Sequence, residues 1–255
     1  MITSLSNEKV KHARALVHQH KARERHQQFV IEGVRLAQEA ERAGIVPALL
    51  FCADEFAHSA EGQRLAQRWP SALALVSEKV LAALSDTLTP QGVVVVVPQP
   101  RLTATQRDLV LVVDGVRDPG NLGTLLRSAL AAGVDEALLS VGCADPYSPK
   151  VVRAAMGAHF HLPLQGDLDW QTIHEHVVGL DVLLADAAGE LDYAQWDWRK
   201  PSALLVGSEA EGASRDGRAL ATQRVRIPMR AASESLNVAV AGSVILFEAA
   251  RQRRC

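Results

Sequence analysis

The chain has 255 residues, enough for one large domain or two small ones, each with its own core. Apolar residues make up 48% of it and the formal net charge is −2, which excludes a disordered polyelectrolyte. No stretch approaches an apolar transmembrane helix, and the start, "MITSLSNEKVKHARALVHQH", has no apolar signal core. The 3 scattered cysteines fit neither a disulfide framework nor zinc spacing, so a cytoplasmic, metal-free chain is expected.

The first predicted element is a helix near residues 7–26. Its charge is one-sided: Lys9, Lys11, Arg14, Lys21, Arg23 and Arg25 stand against Glu24 alone, with His12, His18, His20 and His26 interleaved. Such a run suits a phosphate backbone, and it also suits an ordinary solvated helix face. Lys21, Arg23 and Arg25 are its candidate phosphate contacts. "FVIEG" then reads as a strand entering the helix "VRLAQEAERAG", with Glu32 and Arg35 at the strand exit. Arg35 is a further candidate for holding substrate. "ALLFCA", "ALALV" and "GVVVVV" read as strands separated by helices near 59–68 and over "SEKVLAAL". The alternation predicts a small, mostly parallel α/β domain over 1–98 that holds substrate. A proline-containing linker over 99–108 follows.

The second domain is expected over 109–255. "LVLVVD" (109–114), "EALLSV" (136–141), "HLPL", "DVLLAD" (181–186), "ALLVG" (203–207) and "VRIP" (225–228) read as strands. Helices are expected over 121–132, 148–157 and the closing "ESLNVAVAGSVILFEAARQR". "HFH" (159–161) and "HEH" (174–176) lack cysteine partners and zinc spacing. His159 and His161 are expected beside a strand, and His174 and His176 on a helix surface.

Ligands of open parallel sheets gather outside the carboxyl ends of strands. Three strand exits here are rich in polar residues and glycine: 114–127, 207–214 and 228–237. In "DGVRDPGNLGTLLRS", Gly115 and Gly120 free the backbone, Pro119 stiffens the turn, and Asn121 stands at the helix start. Each loop alone is an ordinary strand–helix connection. Together, and in this order, they point to one site.

These motifs resemble those of the SpoU–TrmH family of RNA methyltransferases, a branch of the SPOUT superfamily. "DGVRDPGNLGTLLRSALAAGVD", "LLVGSEAEGAS" and "RIPMRAASESLNVAVAGSVILFEA" carry the resemblance across roughly residues 109–253. "SLSNEKVKHARAL" and "FVIEGVRLAQEA" carry it more weakly into the first half, as the small domain that often precedes this catalytic one.

The resemblance implies an α/β domain with a deep trefoil knot, S-adenosylmethionine as cofactor, and methylation of a ribose 2′-hydroxyl in rRNA or tRNA. It implies a homodimer with the active site at its interface. By position, Val206, Gly207, Ser208, Ile227, Met229, Ser235 and Leu236 would bind the cofactor. Arg127 would be the catalytic arginine, with Asn121, Glu209, Ser235 and Asn237 around it, and Arg117 a second phosphate contact. A guanidinium keeps its proton far above neutral pH. Clamping a phosphate is therefore one role open to Arg127, with water, a phosphate oxygen or Glu209 receiving the proton; the family's usual assignment makes arginine the activator. Two positions depart from the motifs: Ala210 and Ala231 stand where glycine is common.

Within the family, a different RNA atom or a base is an alternative acceptor, and the Asn121–Arg127 pair favours ribose; two rivals lie outside this reading. A nicotinamide dehydrogenase fails because "DGVRDPGNLG" is not G-x-G-x-x-G. An RNA-binding protein of the same fold with little or no catalysis is opposed by the retained polar cluster.

Overall fold

Asn7 opens the first helix by accepting from Lys9 N, and α1 (Glu8–His18) runs until Gln19 turns extended. The single helix expected over 7–26 is therefore two, α1 and α2 (His20–His26). Arg23 supplies a reason. It is 5% exposed, and its Nη1 donates to the carbonyl oxygens of Leu16 and Val17 at 2.5 and 3.1 Å. Carbonyls left open at a helix end are thereby satisfied. Arg23 is thus corrected from a phosphate contact to a buried helix-end cap.

The computed structural model describes residues 1–87, 90–230 and 235–254. By their internal contacts they divide into two units, Met1–Pro100 with Tyr147–Phe160, and Arg101–Pro146 with His161–Cys255. The first unit continues with β1 (Gln28–Glu32), α3 (Val34–Arg42), β2 (Leu49–Ala53), α4 (Asp54–His58) and α5 (Ala60–Arg68). β3 (Leu73–Val76), α6 (Glu78–Leu84) and β4 (Val93–Pro98) complete its first hundred residues. The sheet order is β1-β4-β2-β3. β2 and β3 pair in parallel, while β4 runs antiparallel to both its neighbours. The expectation of a mostly parallel sheet is corrected here. Val93 to Val97 are all 0% exposed, and such a run belongs in the middle of a sheet covered on both faces. β4 accordingly inserts between β1 and β2.

In the second unit, the chain passes through β5 (Leu109–Val113), α7 (Pro119–Ala132) and β6 (Glu136–Ser140). It then contributes α8 (Pro149–Ala155) and a 3-10 turn at Ala158–Phe160 to the first unit. There Val152 and Phe160 join Phe29, Leu36 and Trp69 in one apolar cluster. Gly157, at φ +92, lies so close to Glu39 that a Cβ would stand 2.6 Å from Glu39 Cγ. His159 is buried in this turn and lies beside a strand as expected, its ring 5.7 Å from that of Phe29 on β1.

The second unit resumes with β7 (Leu164–Leu168), α9 (Trp170–His176), β8 (Asp181–Ala185), β9 (Leu191–Asp192) and β10 (Ser202–Val206). α10 (Arg215–Leu220), β11 (Gln223–Arg226) and α11 (Val238–Arg253) follow. The strand expected at "HLPL" starts only at its last residue, Leu164. Among the described residues the sheet has the order β7-β6-β5-β10-β8-β11-β9, and every pair is parallel. Continuous burial of β5, β6 and β10 suits this arrangement. Because β10 lies between β5 and β8, the exits of β5, β10, β8 and β11 stand in a row. Among the described residues no helix is long and apolar enough to cross a membrane.

At the other end of β6, Glu136 is 2% exposed. It accepts from Arg107 Nε and Gln165 Nε2, each at 2.7 Å, and lies 3.1 Å from His176 Nδ1. His176 thus reaches inward from the helix surface on which it was expected. Burial pushes the Glu136 carboxyl up, but the hydrogen bonds from Arg107, His176 and Gln165 outweigh it and hold the group below its ordinary value of 4.5. A depressed folded-state value stabilises the protein above the unfolded value, and that contribution disappears as pH falls through the folded one. Between about pH 5 and about pH 3, the urea midpoint should fall more steeply for the wild type than for Glu136→Gln. Parallel curves would remove Glu136 from the acid response.

Candidate functional site

The first loop leaves β5 at Asp114, which is 5% exposed. Its Oδ2 accepts from Ser214 N at 2.6 Å, tying the 114–127 loop to the 207–214 loop. Ser140 Oγ, 3.4 Å from Asp114 Oδ1, also accepts from Gly115 N at 3.1 Å. The cap of α7 is Asp118, which accepts from Asn121 N at 2.8 Å. Asn121 is therefore inside the helix, with its side chain free for other work.

The second loop closes on itself. Ser208 N donates to Gly212 O at 2.9 Å, and Gly212 N returns the bond to Ser208 O at 3.0 Å. Gly207 is packed so tightly that a Cβ would stand 2.2 Å from Ala213 N. In the third segment Asn237 caps α11 by accepting from Ala239 N and Val240 N. The closing helix therefore starts at Val238, after the position expected for it.

One hydrogen-bonded relay joins the three exits. Asn237 Nδ2 donates to Asn121 Oδ1 at 3.0 Å, and Asn121 Nδ2 donates to Glu209 Oε1 at 2.5 Å. The two asparagines use both ends of their amides, so each side chain is oriented by the other. Behind the relay, α11 packs on α7 closely enough that a Cβ on Gly242 would meet Leu125 Cδ2 at 2.5 Å.

The relay borders a cavity of about 410 Å³, within the range for small-molecule and cofactor sites. Val206, Gly207, Ser208, Ile227, Met229, Ser235 and Leu236 all line it. Glu209 and Asn237 line it too, whereas Asn121 reaches it through its two partners. Arg127 does not line it. It is exposed on α7, without a hydrogen bond or ion pair among the described residues. Arg117, Lys21, Arg25 and Arg35 are exposed as well. Ala231 lies outside the described residues, as does Glu234 at the expected start of the last helix. Ala210 is exposed in the second loop and is not part of the cavity wall.

Sequence reasoning passed over the exit of β8, where Leu184 to Ala187 line the cavity, and it passed over Arg218. "LLADAAGE" does carry a signal, an aspartate and small residues at a strand exit. Its relevance depends on β8 pairing with β10, which the order of elements along the chain does not announce. Among the described residues no group of three or more His, Cys, Asp or Glu side chains is placed to hold a metal ion.

Residues 108–247 match the SpoU rRNA Methylase family, and residues 7–95 match the MRM3-like substrate binding domain. The chain is 33% identical to the 23S rRNA (guanosine(2553)-2′-O)-methyltransferase RlmP of Bacillus subtilis, covering 96% of this chain and 97% of that protein. It is 32% identical to the mitochondrial rRNA methyltransferase 3 of Mus musculus, covering 91% of this chain and 69% of that one. Among solved structures it is similar to the SpoU methyltransferase AviRb from Streptomyces viridochromogenes in complex with AdoMet. The TM-score is 0.89 at 29% identity, covering 97% of this chain and 98% of that one.

Proposed function

This chain belongs to the SpoU rRNA methylase family, and we propose that it transfers a methyl group from S-adenosylmethionine to a ribose 2′-hydroxyl of ribosomal RNA. The observation that carries this reading is the relay of Asn121, Glu209 and Asn237 at the edge of a cofactor-sized cavity. Closed loops and apolar side chains suit the adenosine, with Gly207, Ile227 and Leu236 along the cavity.

Bound S-adenosylmethionine supplies a methyl group already activated on a sulfonium. The protein is left to align the hydroxyl and to take one proton. The exposed Glu209 carboxylate is held by Asn121 and keeps lone pairs to accept that proton directly or through water. Arg127 clamps the phosphate beside the target ribose, with Ser235 and Asn237 closing the wall. Arg117, Lys21, Arg25 and Arg35 hold further phosphates. The double variant Lys21→Ala/Arg25→Ala should lower RNA affinity and reduce its salt slope by about 2. An unchanged slope would leave the basic run as a solvated face.

The knot is part of the same reading, supported by a cavity that draws its wall from the 207–214 loop and from Ile227, Met229, Ser235, Leu236 and Asn237. A cytoplasmic homodimer is also proposed. Val240, Val244 and Phe247 are 48%, 36% and 48% exposed and recur along one face of α11. A second copy of the chain is their natural cover, with the active site at that interface. Phe247→Glu should yield a monomer by light scattering, with methyl transfer reduced. A wild-type monomer would remove the dimer.

The test of function is to map 2′-O-methyl groups in total RNA from cells with and without the gene. Loss of a ribosomal position is expected. Loss confined to tRNA would redirect the substrate, and no loss despite cofactor binding would favour the catalytically silent RNA-binding protein.

A further inference from the structure

One ion pair in the cavity wall has no role so far. Asp186 stands just after β8 and Arg218 on α10, with Asp186 Oδ2 and Arg218 Nη1 3.6 Å apart. That separation is attraction without a hydrogen bond. Each side chain is fixed by backbone instead. Asp186 Oδ1 accepts from Ala188 N at 2.9 Å, and Arg218 Nε donates to Ala213 O at 3.0 Å. One carboxylate oxygen and the terminal guanidinium nitrogens keep hydrogen-bonding capacity. Apart from Glu209, the remaining described residues along the cavity are uncharged.

S-adenosylmethionine divides in the same way. Its adenosine is neutral, and its amino-acid end carries an ammonium and a carboxylate on one carbon. We propose that Asp186 and Arg218 form the subsite for that end, Asp186 taking the ammonium and Arg218 the carboxylate. The assignment rests on the cavity being the seat of the cofactor. A ribose diol is the competing occupant, but it has no anion for the guanidinium. The zwitterion satisfies both signs at once through charge-assisted bonds, on groups already held in place.

Calorimetry with matched ligands tests the pair. S-adenosylhomocysteine and 5′-methylthioadenosine are both thioethers and differ by the amino acid. S-adenosylmethionine and its decarboxylated form are both sulfonium ions and differ by the carboxylate. Asp186→Asn should weaken S-adenosylhomocysteine about tenfold and 5′-methylthioadenosine by less than about twofold. Arg218→Gln should weaken S-adenosylmethionine about tenfold and its decarboxylated form by less than about twofold. Equal losses within each matched pair, or no losses, overturn the subsite while the cavity stands. Should a variant melt early, the wild type still decides, because it must prefer each complete ligand over its truncated partner. A wild type that binds none of the four overturns the cavity assignment, and the subsite with it.

Discussion

Arg127→Ala is expected to lower methyl transfer by at least about 100-fold, the size of effect seen when one preorganised charge-stabilising group is lost. Affinity for S-adenosylmethionine should change by no more than a few-fold, because Arg127 is exposed and stands outside the cavity wall. The two outcomes separate roles that sequence reasoning leaves open. A guanidinium acting on the RNA phosphate or ribose affects transfer and RNA binding. A guanidinium acting on the cofactor affects both measurements together, and equal losses would move Arg127 to the cofactor. Arg127→Lys refines the result, since lysine keeps the charge but loses the planar fork that engages phosphate oxygens in pairs. Single-turnover assays at saturating RNA and radiolabelled cofactor are the measurement.

Gly207→Ala should weaken S-adenosylmethionine binding about 10- to 100-fold. A Cβ there would lie 2.2 Å from both Ala213 N and Gly212 C, and 2.6 Å from Gly212 O. These are backbone atoms, which cannot swing aside as a side-chain tip does. To admit the methyl group the loop must open, breaking the paired Ser208–Gly212 bonds and shifting Ser214 away from Asp114. The cavity wall moves with it. Far-UV circular dichroism should change little, because β10 ends just before the substituted residue. Unchanged cofactor affinity would show that the closed loop does not shape the seat.

Much of the site is legible in the sequence because its parts are local. Asp114, Asn121, Gly207, Glu209 and Asn237 sit in short motifs whose glycines, prolines and caps dictate their own turns. The sheet places those turns side by side, and the seven residues assigned to the cofactor lie along one cavity. What escaped depends on long-range placement. The insertion of β4 between β1 and β2 is a matter of which strands meet, and an all-valine run says only that it is covered on both faces. Arg23 reads as one more cation in a basic helix, although the break at Gln19 leaves carbonyls that its guanidinium turns inward to meet. Asp186 and Arg218 are 32 residues apart along the chain and come together through strand order alone. His176 likewise looks like a surface residue until β6 brings Glu136 beneath it.

The passage of Tyr147–Phe160 into the first unit bears on how the protein is made. Domains of a nascent polypeptide generally fold as units, starting from the N-terminus. Here the ribosome must translate past Phe160, well beyond β6, before Phe29, Leu36 and Trp69 can gain their last apolar neighbours. The early segment therefore waits, partly uncovered, while the start of the later one emerges. A gene fragment ended after Pro100 would encode a core with a side missing, and its product should be prone to aggregation and proteolysis.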